Sequence, residues 1–223
     1  MCFYFRQTKE ALEVANRFKV KKSEVFQSTP NREYNGFSHP LCETITNRAP
    51  DSITPLSWGL IPGESSNNYI RSKTLNARIE TLEKTKSFKN YINDRCLVIS
   101  DGFYEWKHII KPGGVIKERY LITTPEENLF SFAGICSWWR DSANGSITGT
   151  FAIITTAANN IMSEIHNTNK RMPVILSPKD EKSWLEGADY KEFALPYSVD
   201  LIARPSPNFT ENKKRGDLMN LLF

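Results

Sequence analysis

The stretch RCLVISDGFYEW, residues 95–106, splits into two apolar runs around the pair Asp101-Gly102. Residues 96–99 form a β-rich run, Asp-Gly is a strong turn signal, and 103–106 resume the extended pattern, which predicts strand, turn, strand. Working upstream, SFKNYI at 87–92 reads as helical. Downstream, strands are predicted at 120–123, 129–139, 150–155, 174–176 and 199–203, each bounded by turn residues. Helices are predicted at 160–165 and 179–186, the second with Ser177 as N-cap, Pro178 in the first turn and Gly187 at the stop. At the amino end, residues 8–18 place Leu12, Ala15 and Phe18 on one helical face, followed by Lys19, Lys21 and Lys22. Residues 23–57, rich in Pro, Asn, Ser and Thr, read as irregular segments packed over a scaffold. No repeat or linker divides the chain, so the expectation is one mixed α+β domain over 1–223.

A chain of 223 residues with 39% hydrophobic content can bury a substantial core. No segment approaches the ~20 apolar residues that cross a bilayer, and no apolar run follows the charged amino end, so a soluble, cytoplasmic protein without membrane contact is expected. A net charge of +4 and a pI near 8.8 are too mild for a polycation that coats nucleic acid, but they permit a local basic groove. The cysteines, Cys2, Cys42, Cys96 and Cys136, lack paired spacing and read as reduced thiols. Cys96 and Cys136 sit inside apolar runs as core thiols. His39 and Cys42 have metal-like spacing without a second pair, so no metal is expected.

The remaining signal lies in a series of short words: Met1-Cys2, Trp58-Gly59-Leu60-Ile61-Pro62, Asn76-Ala77-Arg78-Ile79-Glu80-Thr81, Arg95-Cys96-Leu97-Val98, Asp101-Gly102-Phe103-Tyr104-Glu105-Trp106, and His166 ahead of Arg171-Met172-Pro173. Their order and separations resemble the SRAP family, the SOS response-associated peptidases. The resemblance implies a compact α+β fold with a β-rich, largely antiparallel, barrel-like core and flanking helices, and a protein that binds abasic sites in single-stranded DNA and forms a covalent crosslink during the DNA damage response. It implies Cys2 as the crosslinking residue, Asn76, Glu105 and His166 around it, and Arg78 and Arg171 beside the DNA path. Association with the nucleoid on damage follows from the same resemblance. The chain departs from the family where Cys-Gly-Arg is common after Met1: here Cys2 is followed by Phe3 and Tyr4, and Arg6 is the nearest substitute for that arginine.

These residue types suit such chemistry. An abasic sugar presents an aldehyde, which an uncharged amine attacks to give an imine. An α-amine of pKa about 7.7–8.0 is roughly one quarter free base at pH ~7.4, against about one part in a thousand for lysine. Once Met1 is removed, the Cys2 thiol can close a thiazolidine ring on the imine carbon. A buried Glu105 of raised pKa would move the protons, His166 would exchange protons or hold phosphate, and Asn76 would orient the amine or the opened sugar. Arg78 and Arg171 would grip phosphates. An unpaired nucleotide enters a pocket without unstacking cost, which favours single strands.

Taken singly, each residue has a plainer reading. Glu105 could be a surface strand residue, His166 a structural hydrogen bonder, Asn76 a turn cap, and Arg78 with Glu80 an ion pair worth under ~1 kcal/mol. Trp58, Trp106, Trp138 and Trp139 fit the core better than a DNA platform. Rival functions are an N-terminal nucleophile hydrolase, a thiol peptidase with a Cys2–His166 dyad that cleaves peptides generally or only removes Met1, and a non-covalent reader of damaged or modified bases. The expectation is an abasic-site crosslinking enzyme, lyase-like or peptidase-like, without cofactor or metal, acting on single-stranded DNA as a monomer.

Overall fold

The computed structural model describes residues 2–21, 32–126 and 128–206. In chain order the strands are β1 (Tyr4–Gln7), β2 (Arg32–Asn35), β3 (Leu41–Thr46), β4 (Ala49–Trp58), β5 (Asn76–Arg78), β6 (Arg95–Ser100), β7 (Gly102–Lys111), β8 (Gly114–Thr123), β9 (Phe130–Arg140), β10 (Ile147–Ala157), β11 (Arg171–Pro173), β12 (Ile175–Leu176) and β13 (Ile202–Pro205). The helices are α1 (Ala11–Phe18), α2 (Asn160–Ile165) and α3 (Asp180–Leu185).

Strands β4, β3, β6 and β9 pair antiparallel in succession, and β10 joins β9 to β4, which closes a barrel of five strands. The β10–β4 seam is parallel and short, with Thr150 opposite Ser57 and Phe151 opposite Trp58. Beyond it β10 passes that edge to β5, with Ile153 opposite Asn76 and Thr155 opposite Arg78. On its other edge β9 gives way to β11. A second, antiparallel sheet runs β13–β8–β7–β1–β2.

The barrel strands are packed on both faces. Val98, Phe132, Phe151 and Ile153 join Phe5 and Phe103 of the second sheet and Trp58, whereas Leu97, Ile99, Ile135 and Ile154 join Val14, Trp184 and Phe193. Every residue of β6 is therefore buried, and each large side chain so enclosed contributes about 1.5–3 kcal/mol. At Gly134 a Cβ would approach Cys96 Sγ to 2.7 Å, so glycine is what lets β9 lie this close to β6. No helix among the described residues is long and apolar enough to cross a membrane.

The 95–106 reading matches β6, a turn and β7, although β7 runs on to Lys111. Three expectations change. Residues 87–92 contain a 3-10 turn, Lys89–Tyr91, in place of a helix. Residues 23–57, read as irregular, carry β2, β3 and β4, while residues 22–31 and Met1 lie outside the described residues. In α1, Leu12 is 65% exposed and Val14 takes its place beside Ala15 in the core. Helix α1 starts with a capping box between Glu10 and Glu13, whose Oε2 accepts the Glu10 N–H at 3.1 Å.

Candidate active site

Strand β1 lies between β2 and β7, with Tyr4 opposite Asn35 on one side and Tyr104 on the other. This pairing carries Cys2, two residues upstream of β1, into the interior, where it is fully buried. Strand β5, held parallel to β10, brings Asn76 to it: Asn76 Nδ2 donates to the Cys2 carbonyl at 2.8 Å. Asn76 Oδ1 is also buried and accepts no hydrogen bond among the described residues.

Glu105 shares a face of β7 with Phe103, because side chains alternate along a strand, while Tyr104 and Trp106 face the other way. It is 5% exposed. His166 follows α2 directly, with its backbone N–H on Met162 at 2.8 Å. The ring Nδ1 lies 2.8 Å from the Arg171 carbonyl, a contact that places the proton on Nδ1 and leaves the lone pair on Nε2. That Nε2 stands 4.0 Å from Glu105 Oε2. The structure thus brings Cys2, Asn76, Glu105 and His166 together.

Burial pushes the Glu105 carboxyl up to about 7, with the positive amino end of the chain and the Trp106 backbone acting against it. Burial also lowers His166, although the Arg171 carbonyl favours its charged form. The Cys2 thiol is pushed far up by burial and then by the negative charge of Glu105. Near neutral pH the site therefore holds an S–H thiol, a neutral imidazole and a carboxyl that exists in both forms.

The three arginines differ. Arg171 is largely enclosed and forms a bidentate pair with Glu80, at 2.7 and 2.9 Å, and donates to the Thr155 carbonyl at 2.8 Å. Arg78 lies opposite Thr155 on β5, is exposed, and carries no side-chain ion pair or hydrogen bond among the described residues. Arg6 packs against buried Asp101, 3.3 Å away, and beside Tyr104, on the face of the sheet opposite Glu105. It is not brought to the other six.

One residue was given the wrong partner by the sequence reading and another escaped it. Glu80 pairs with Arg171, across 91 positions, and not with Arg78; its place in the Asn76–Thr81 word was the available signal. Asn167, beside His166, exchanges two hydrogen bonds with the His108 backbone at 3.1 and 2.9 Å and ties the β7–β8 hairpin to the site; no pattern marks it. His39 Nδ1 is 2.9 Å from the Trp58 carbonyl and Cys42 Sγ is directed to the Pro40 carbonyl. No group of three or more His, Cys, Asp or Glu among the described residues is placed to hold a metal ion.

With this geometry in hand, known proteins give a consistent comparison. The chain is 35% identical over 211 residues to the abasic site processing protein YoqW of Bacillus subtilis (strain 168), covering 90% of this chain and 89% of that protein. It is 30% identical over 188 residues to the abasic site processing protein HMCES of Pongo abelii, covering 71% of this chain and 51% of that protein. A crystal structure of a protein from Bacteroides thetaiotaomicron superposes with a TM-score of 0.82 at 32% identity, over 93% of each chain. The family profile described as SOS response associated peptidase (SRAP) matches residues 1–206, and the chain belongs to that family.

Proposed function

We propose that this protein processes abasic sites in single-stranded DNA by capturing the sugar aldehyde with the α-amine and thiol of Cys2, after loss of Met1. The observation that carries the reading is the enclosure of Cys2 by Asn76, Glu105 and His166, with a carboxyl near half-ionisation in a buried site. The names of the relatives, abasic site processing proteins, support the substrate.

The Cys2 nitrogen attacks the aldehyde carbon, and Glu105 in its acid form protonates the departing oxygen, which leaves as water to give the imine. Sulfur then adds to the imine carbon: a C–S bond forms, the C=N π pair goes to nitrogen, and the thiol proton is transferred there through the Glu105 carboxylate. The product is a thiazolidine, and the steps balance without a cofactor. His166, its tautomer held by Arg171, lies within one small shift of Glu105 and exchanges its proton. Asn76 holds the Cys2 carbonyl and offers Oδ1 to the amine. Exposed Arg78 contacts phosphate, and Arg171, braced by Glu80, shapes the wall beside it. A thiol held in the S–H form suits sulfur that acts after the imine exists, and not a thiolate that opens a peptide bond.

The test is a denaturing gel of protein, with Met1 loss verified by intact mass, after incubation with abasic-site oligonucleotides. A shifted band is expected with the single strand and little with the duplex; no shifted band with the single strand sinks the proposal. Cys2→Ser keeps the amine but not the ring closure, so its product is expected to persist only after borohydride reduction. Equal durability to wild type would eliminate the thiazolidine.

A further inference from the structure

Phe3, immediately after Cys2, carries its own anchor. Its carbonyl accepts the Gly36 N–H at 2.9 Å, and its ring lies 5.0 Å from that of Phe37, tilted by 34°. Phe37 is 51% exposed, although it belongs to a tightly built turn. Asn35 Oδ1 accepts the Phe37 N–H at 3.0 Å and Ser38 Oγ donates to the Asn35 carbonyl at 2.8 Å. His39 closes the turn in the left-handed region at φ 52°. At its base Gly36 is buried, and a Cβ there would come within 3.2 Å of Leu75 and 3.3 Å of Trp58. Leu75 precedes Asn76, so the turn is seated on the segment that holds Cys2. Tyr4, by contrast, packs edge-on against Trp106 at 5.2 Å.

We infer that Phe3 and Phe37 form a stacking platform for the nucleobase that neighbours the abasic nucleotide. This deepens the proposed function and takes from it the position of the lesion at Cys2. An abasic nucleotide has lost its base, so each flanking base has one π-face without a partner. Consecutive Cα atoms are about 3.8 Å apart, so a sugar bonded to Cys2 sets its neighbour beside the Phe3 ring. Stacking on aromatic side chains is independent of salt in a way that phosphate contacts are not. This chain follows Cys2 with Phe3 and Tyr4, whose rings supply contact area and no charge.

The test uses binding rather than crosslinking. A single-stranded oligonucleotide carries tetrahydrofuran, which has neither base nor aldehyde, at the lesion position, flanked either by adenines or by further tetrahydrofurans, and affinity is read by fluorescence anisotropy. Wild type is expected to bind the adenine-flanked strand about tenfold more tightly, the scale of one stacked base. Phe37→Ala is expected to bring that ratio close to one, and Phe37→Trp to preserve or enlarge it. Equal affinity of wild type for the two strands, no binding of either, or an unchanged ratio in Phe37→Ala overturns the platform. So does a drop in particle mass by light scattering in Phe37→Ala with the ratio kept, which would mark the face as a contact between two copies. Loss of crosslinking with the ratio intact would count against the proposed chemistry and not against the platform.

Discussion

Glu105 and Glu181 are both buried carboxyls whose proton affinity burial raises, yet their surroundings differ. Glu181 receives a bidentate Arg17 guanidinium at 3.0 Å from each nitrogen and the Ser131 hydroxyl at 3.0 Å. Its charge is compensated on the spot, and the pair links α1 to α3 and β9. Glu105 faces a neutral imidazole at 4.0 Å and a buried thiol, and burial outweighs the positive amino end of the chain, so its proton affinity rises to about 7. Under the proposed function, the carboxyl clamped by a fixed guanidinium serves as structure, and the one whose cationic neighbour is the amino end itself keeps a proton to exchange. The contrast separates two uses of the same residue type inside one core.

Replacement of Glu105 by Gln should give the largest effect. It keeps the shape and removes the acid, so crosslinking is expected to slow by ~10²–10⁴-fold while the protein stays folded. Single-turnover gel kinetics measure this, and unchanged forward and reverse rates would remove Glu105 from the mechanism. The mirror experiment is Glu181→Ala, which strands the half-buried Arg17 charge and should cost about 3 kcal/mol of stability in a urea melt, with single-turnover crosslinking by the folded fraction close to wild type. If Glu181→Ala slows chemistry instead of lowering stability, the division between the two carboxyls is wrong.

The pH dependence of stability sharpens the same contrast. Glu105 rises from 4.5 to about 7 on folding, so the folded state binds the extra proton. Its stabilising contribution is full below the unfolded value and is lost as pH rises through the folded one. Between pH ~5 and ~8 wild type is expected to lose roughly 2 kcal/mol that Glu105→Gln retains. Parallel stability curves for the two proteins would contradict the shift. The smallest effect is expected at the surface, where Arg78→Ala should weaken single-strand binding a few-fold and lower the slope of log K against log salt by about one.

The hairpin centred on Asp101-Gly102 was legible because turn chemistry and β-branched runs act locally. Strands β3 and β4 were hidden by their composition: they bury Glu43, Thr44, Thr46 and Ser57 among apolar neighbours, and β4 contains Pro50 and Pro55. Proline is tolerated there because β4 meets β10 only from Ser57 onward, so those positions leave one edge without a β10 partner. Strand β5 has three residues and exists through its parallel pairing with β10, which no local pattern encodes. The site divides similarly. Cys2, Asn76, Glu105 and His166 were named through the order of their motifs, and the structure supplies their contacts. The Arg171–Glu80 pair depends on strands far apart in sequence, so the nearer Arg78 drew the assignment to Glu80. The exposure of Leu12 shows the same limit: helical spacing allowed either face, and packing selected Val14.

The double pairing of β1 has a mechanical consequence. Tyr4, Phe5 and Arg6 are each registered against β2 on one side and β7 on the other. Tension applied to Cys2 along the strand axis, as when a motor protein tows a DNA strand fastened there, loads both ladders in shear, so their hydrogen bonds must rupture together rather than peel one at a time. Under the proposed attachment at Cys2, the joint between DNA and protein sits at the end of a strand paired on both edges and is hardest to break in the direction of pull.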